Sequence, residues 1–213
     1  TDEQKEPVLA NYALMNAATR ATGVILSEAG LTVVEIPTTA VPYGLPLVPA
    51  LEYGYKEGIN TFLAAVGNGA PESLEAIITF NSEDIANRAP YGQGHLEASQ
   101  APELSSDEYE NIKRDNQRIA REGLDALFAE YGINVVVSSV GQTYAPAGYP
   151  ALTIPSGYAE DGTPQSIVLV GGFMSEPQLL AAGYAYEQTA QARVAPNLEA
   201  TMGLIAELDN LSP

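Results

Sequence analysis

Few residues of this 213-residue chain can do chemistry unaided, and their scarcity narrows the choices. There is no cysteine and a single histidine, His95. Thiol nucleophiles, disulfides, Cys-based metal sites and the common multi-His zinc arrangements are therefore excluded. Ser138-Ser139-Val140-Gly141 comes nearest to a nucleophile loop, at the end of an apolar run where α/β proteins often place function. It lacks the glycines that let backbone approach a substrate, and no Lys or His lies near it in sequence to act as base. A strand-terminating turn describes it better. His95, in Gly92-Gln93-Gly94-His95, is an imidazole and could serve as a general base, but with no partner in view it reads as loop decoration. Asn81 and Gln93 are carboxamides in or beside irregular segments, each able to offer donors and acceptors to a substrate amide. Phe80 would line the apolar part of the same pocket. Both amides also suit purely local roles, a helix C-cap for Asn81 and a loop bond to backbone for Gln93. Tyr149, pushed towards an extended conformation by Pro150, fits a strand entry or a pocket mouth.

The elements that must position these groups are legible in outline. Val8, Leu9, Tyr12, Met15, Ala18, Thr22, Ile25 and Leu26 recur at helical spacing, which predicts a helix over 8–30 closed by Gly30. Leu31–Ile36 is rich in β-branched residues and predicts a strand, closed by Pro37. Four prolines in 37–50 mark a connection. Helices are predicted over Glu52–Val66 and Ser73–Asn81, and irregular chain over 87–104. The longest helix starts at Ser105, with Glu108 completing a capping box, and stops at Gly132. Ile133–Val137 predicts a buried strand. After the small-residue turn of Ala147 and Gly148, an apolar run over Ala151–Ile154 ends at Pro155-Ser156-Gly157. A hairpin-like turn at Gly162 and Pro164 leads to a second run, Ser166–Val170. Gly171 and Gly172 then open a helix with Ser175 as its cap and Gln178 three residues on, running to about Arg193. The tail from Asn197 is a short amphipathic piece. With about four strand candidates against the roughly 5–6 of a usual sheet, the sheet is expected to be incomplete. One compact unit over 1–213 is expected, since no repeat or low-complexity linker divides it.

A formal net charge of −18 argues against nucleic acid and anionic membrane as partners. The basic residues Lys113, Arg114, Arg118 and Arg121 alternate with Glu110, Asp115 and Glu122 on one helix, the pattern of a solvated face. No run of eighteen apolar residues is present. Composition leaves the compartment open.

The order of words in the chain closely resembles the C-terminal segment of amidase-signature hydrolases. Ala147, Gly148, Pro150, Ala151, Pro155, Gly157, Gly162, Pro164, Gly171, Glu176, Leu179, Leu180, Tyr186 and Glu187 match that family's pattern of strand, Gly-Leu-Pro-type turn, strand and Leu-Leu helix. Glu52 to Leu63 resembles its Glu-x-x-x-Lys helix, and Ser73 to Asn81 its Ser-Leu-x-x-Ile-Ile-x-Phe-Asn helix. Pro90-Tyr91-Gly92-Gln93 is similar to its Gly-Gln turn, and the Phe-Asn and Gly-Gln pair together resembles the branch containing peptide amidases. The resemblance covers roughly residues 20–195.

The resemblance implies an α/β fold, a mixed β-sheet flanked by helices on both faces, forming the C-terminal part of the amidase-signature fold. It implies hydrolysis of carboxamide C–N bonds by a Ser–cis-Ser–Lys triad, with substrate contacts from Phe80, Asn81 and Gln93. It implies no metal and no organic cofactor. The family's Gly/Ser-rich nucleophile loop has no counterpart here, and Lys5, Lys56 and Lys113 stand in no such context. The triad is thus expected outside this chain, on an N-terminal catalytic half that becomes its partner, with a small amide or amidated peptide as substrate. Between the strand at 133–137 and Gly148 only Ser138–Ala147 intervenes, where the family has a longer excursion. A second reading is a non-catalytic module that binds a small amide or a protein on the surface where the other half would dock. In a lone chain that apolar surface would favour a homo-oligomer.

Overall fold

A computed structural model describes residues 16–37, 40, 44–67, 69–138, 143–199 and 201–203. Helix α1 spans residues 16–28. It is followed by α2 (Leu47–Val66), α3 (Leu74–Glu83), α4 (Ile85–Arg88), α5 (Gly94–Gln100) and α6 (Ser106–Tyr131). Then come β1 (Val135–Val137), α7 (Tyr144–Ala147), the strands β2 (Ala151–Tyr158) and β3 (Pro164–Gly171), and α8 (Glu176–Ala190). The part of the first helix predicted before residue 16, and Leu204, Ile205 and Leu208 of the tail, lie outside the described residues.

The strands form one sheet in the order β1-β3-β2. β3 alternates its side chains between two apolar layers because successive strand residues point to opposite faces. Val170 packs with Val136 of β1 and with Ala120, Leu124 and Leu127 of α6 on one face. Ile167 and Leu169 pack on the other with Ile154 of β2, Leu26 of α1, and Leu179, Ala182 and Tyr186 of α8. Helices thus cover both faces, as the α/β reading requires. Both strand pairings are antiparallel, where a mixed sheet was expected. For β2 and β3 the reason is local: the five-residue turn 159–163 is closed by bonds from Ala159 N–H to Thr163 and from Gly162 N–H to Ala159, and it can only reverse the chain.

Helix α6 follows its sequence signals closely. The Ser105 hydroxyl accepts the Glu108 N–H at 3.4 Å while Glu108 accepts the Ser105 N–H at 2.8 Å. Its end is set by Gly132, which adopts the left-handed conformation (φ 62°) that a side chain would penalise. Asn116, Ala120, Leu124 and Leu127 form its buried stripe. The acidic and basic residues of its outer face pair with each other in solvent, as between Arg118 and Glu122 at 3.0 Å.

Several sequence expectations change. Leu31–Ile36 has no strand partner among the described residues, and a strand without a ladder is not a strand. Leu31 and Ile36 instead pack against the two cores, while Arg20 reaches Glu35 at 3.4 Å. Helix α2 starts at Leu47, not Glu52, because Pro49 sits in its first turn, where the missing N–H removes no helical bond. β2 continues through Pro155 to Tyr158 by means of a register shift between Pro155 and Gly157. Ser175 does not cap α8. Its hydroxyl turns back to the Gly172 carbonyl at 2.8 Å, and the helix ends at Ala190 with Gln191 left-handed. Within 87–104, expected to be irregular, Gly94–Gln100 folds as α5.

Candidate functional site

Gln93 is placed by the turn before α5, and its side chain runs against α3. Its Nε2 donates to Ser82 Oγ at 3.0 Å, Glu97 Oε1 at 3.2 Å and the Ile78 carbonyl at 3.5 Å. Ser73 caps α3 by accepting the Ala76 N–H at 3.2 Å, and Asn60 of α2 accepts the Leu74 N–H at 2.8 Å. These bonds fix α3, and hence the Gln93 amide. Gln93 is 8% exposed, and its Oε1 is buried without a hydrogen-bond partner among the described residues. A buried amide oxygen left unpaired is a costly feature, of order 1–3 kcal/mol.

Asn81 lies inside α3, not at its end, half-buried, with no side-chain hydrogen bond to the described residues. The Phe80 ring is 54% exposed, and the Arg88 guanidinium stacks on it at 3.6 Å. Arg88 also donates to the Phe80 carbonyl and to Glu83 Oε2. At about 100° per residue, Gln93 meets the Ile78/Ser82 side of α3, Asn81 stands next to it, and Phe80 points the opposite way. The structure brings Asn81 close to the Gln93 side and leaves Phe80 on the far side of the same helix.

His95 sits on α5 with Nδ1 2.9 Å from Glu52 Oε1 of α2. Lys56 of α2 donates to the Gln100 carbonyl at 2.9 Å and so closes the C-terminus of α5. The charged residues of the Glu-x-x-x-Lys helix therefore clamp α5 onto α2. Ser138 follows β1 directly, and Ser139 lies outside the described residues. Among the described residues no group of three or more His, Asp and Glu could hold a metal ion.

A second polar cluster gathers where β2 begins and β3 ends. The Tyr149 hydroxyl donates to Asp125 Oδ1 at 2.6 Å, and Arg121 Nε donates to the Ala147 carbonyl at 2.8 Å. Phe173 lies 6.3 Å from the Tyr149 ring and 5.9 Å from the Arg121 guanidinium. Burial, and then the bond to Asp125, pushes the Tyr149 hydroxyl up to about 12. Asp125 also borders an open cleft of about 260 Å³ whose wall includes Asn134, Ser175 and Gln178. Met174, beside Phe173, has a positive φ of 56° that a side chain rarely adopts. Sequence reasoning singled out Tyr149 but missed Arg121, Asp125 and Phe173. The available signal was Arg121 and Asp125 four apart, flanking the buried Leu124 on α6.

This fold, with a sheet covered on both faces and an amide-bearing helix pair beside it, is that of part of an amidase. Amidases are among the relatives found in sequence and in structure, although no family model matches the chain. A probable amidase of Arabidopsis thaliana is 26% identical over 152 residues, covering 69% of this chain and 30% of that protein. A glutamyl-tRNA(Gln) amidotransferase subunit of Thermosynechococcus vestitus is 24% identical, covering 77% of this chain and 39% of its own length. Among solved structures, an amidase family protein from Bacillus anthracis superposes with a TM-score of 0.68 at 30% identity, over 85% of this chain and 36% of that one. The native peptide amidase of Stenotrophomonas maltophilia also gives 0.68, at 28% identity, over 88% of this chain and 42% of that one. The chain spans less than half the length of these relatives, as expected for a C-terminal amidase-signature part.

Proposed function

We propose that this chain is the C-terminal portion of an amidase, supplying scaffold and one wall of the substrate pocket to a Ser–cis-Ser–Lys triad carried on polypeptide outside it. The observation that carries this is the likeness to peptide amidase, which extends over 88% of this chain but only 42% of that enzyme. In this scheme the nucleophilic serine attacks the carboxamide carbon, and the nitrogen leaves protonated as ammonia or an amine. Water then hydrolyses the acyl-enzyme and restores the serine. The substrate is a small amide or an amidated peptide.

Gln93 and Asn81 form the proposed wall; Phe80, expected beside them, faces the opposite side of α3 and is left out of it. Asn81 supports this wall, being a half-buried carboxamide beside Gln93 with no side-chain hydrogen bond to the described residues. Asn81→Ala in the assembled enzyme tests the wall, because that side chain has no hydrogen bond to lose among the described residues. Losing one substrate hydrogen bond of about 1–1.5 kcal/mol raises KM about tenfold. An unchanged KM with ammonia release intact removes Asn81 from the pocket.

A further inference from the structure

We infer that the outward face of α2 is the surface on which the rest of the amidase packs. Val48, Leu51, Tyr55, Ile59, Phe62 and Val66 lie on one side of this helix. Ile59 is half-buried, and the other five are large, apolar and between 43% and 67% exposed. Five steps cover eighteen residues, the 3.6 period of a straight helix, so the stripe keeps to one face for about 27 Å. A two-stranded coiled-coil seam would repeat every 3.5 residues; this period fits a helix buried in a globular core.

The inner side of α2 is already occupied. Tyr53 stacks on Tyr109 of α6 at 4.4 Å, Leu63 is buried, and Asn60 caps α3. Glu52 and Lys56 are both drawn away to α5 by His95 and the Gln100 carbonyl. Neither the first turn of α2 carries an acid nor its last turn a base. A long apolar stripe cleared of charge has the composition of a permanent interface, not of a transient encounter surface. The relatives supply the occupant: more than half of each lies beyond the part this chain matches. This inference rests on the proposed function, since it takes the partner to be the remaining part of an amidase.

The absence of cysteine makes single-cysteine probes clean. Tyr55→Cys and Phe62→Cys report on the stripe, and Glu122→Cys on the solvated face of α6 serves as control. Maleimide labelling is measured on the 213-residue chain alone and together with the polypeptide encoded immediately upstream, joined or as a separate chain. The stripe cysteines should label as fast as the control in the chain alone and at least tenfold more slowly in the assembly. Phe62→Asp, at an exposed site, should leave the chain folded and weaken assembly at least tenfold. Equal labelling at stripe and control in the assembly overturns the inference. So does slow labelling of the lone chain that recovers on dilution, which would put a second copy on the stripe. So does a gene that encodes nothing upstream. Ammonia release from an amidated peptide, read on the same samples, separates the two proposals. Release without protection removes the stripe and keeps the amidase, while protection without release does the reverse.

Discussion

Tyr149→Phe removes one hydroxyl and should change the alkaline stability of the protein in a defined way. The Tyr149 hydroxyl donates to Asp125 at 2.6 Å, and the residue is 8% exposed. Burial first, and the Asp125 bond second, raises it from 10.0 to about 12. A raised folded-state value means that folding favours the neutral phenol. The contribution is therefore complete below pH 10 and is lost as pH rises towards 12. At 1.36 kcal/mol per pH unit the full amount is about 3 kcal/mol, of which about half is lost by pH 11. At neutral pH the variant forfeits only the hydrogen bond, about 1 kcal/mol, because Asp125 regains water. Urea unfolding of both proteins from pH 8 to pH 11.5 measures this, and the remaining tyrosines cancel in the difference. The stability gap should be about 1 kcal/mol at pH 8 and should close or reverse by pH 11. A gap that stays constant across that range would refute the buried, neutral Tyr149.

Three further substitutions test the packing. Ser105→Ala removes the cap of α6 and should cost about 1 kcal/mol in chemical denaturation. Leu124→Ala empties a fully buried position between α6 and the sheet and should cost about 2–5 kcal/mol, seen as a lower urea midpoint at unchanged slope. Gly183→Ala puts a methyl 2.5 Å from Leu152 Cδ2 and 3.1 Å from Ile154 Cδ1, where α8 lies on β2. It should cost about 1–3 kcal/mol and accelerate amide exchange in β2.

What was legible in the sequence had short-range causes. The Ser105–Glu108 box and Gly132 fix both ends of α6 because capping bonds span three to five residues. The hairpin of β2 and β3 was visible for the same reason, its turn being closed within 159–163. The misreadings depended on distant chain or on local competition. Leu31–Ile36 has the composition of a strand, but pairing needs a neighbour that the described residues do not provide. Ser175 has the spacing of a cap, yet a nearer acceptor, the Gly172 carbonyl, takes its hydroxyl. The placement of the two amides was legible in part: Gln93 and Asn81 could be named, but their sides of α3 emerge only once Gln93 is seen against Ile78 and Ser82. The Tyr149–Asp125 bond joins residues 24 apart, and the four-residue spacing of Arg121 and Asp125 on α6 did not point to Tyr149.

The central claim is that this chain completes an amidase whose triad lies elsewhere. The direct measurement is ammonia release from a panel of simple amides and amidated peptides, by the chain alone and by the chain with the polypeptide encoded immediately upstream. Release by the assembly and none by the lone chain is the predicted result. Release by the lone chain would contradict the claim and direct attention to Ser138 and Ser139, and silence in both would leave a module that binds without catalysis.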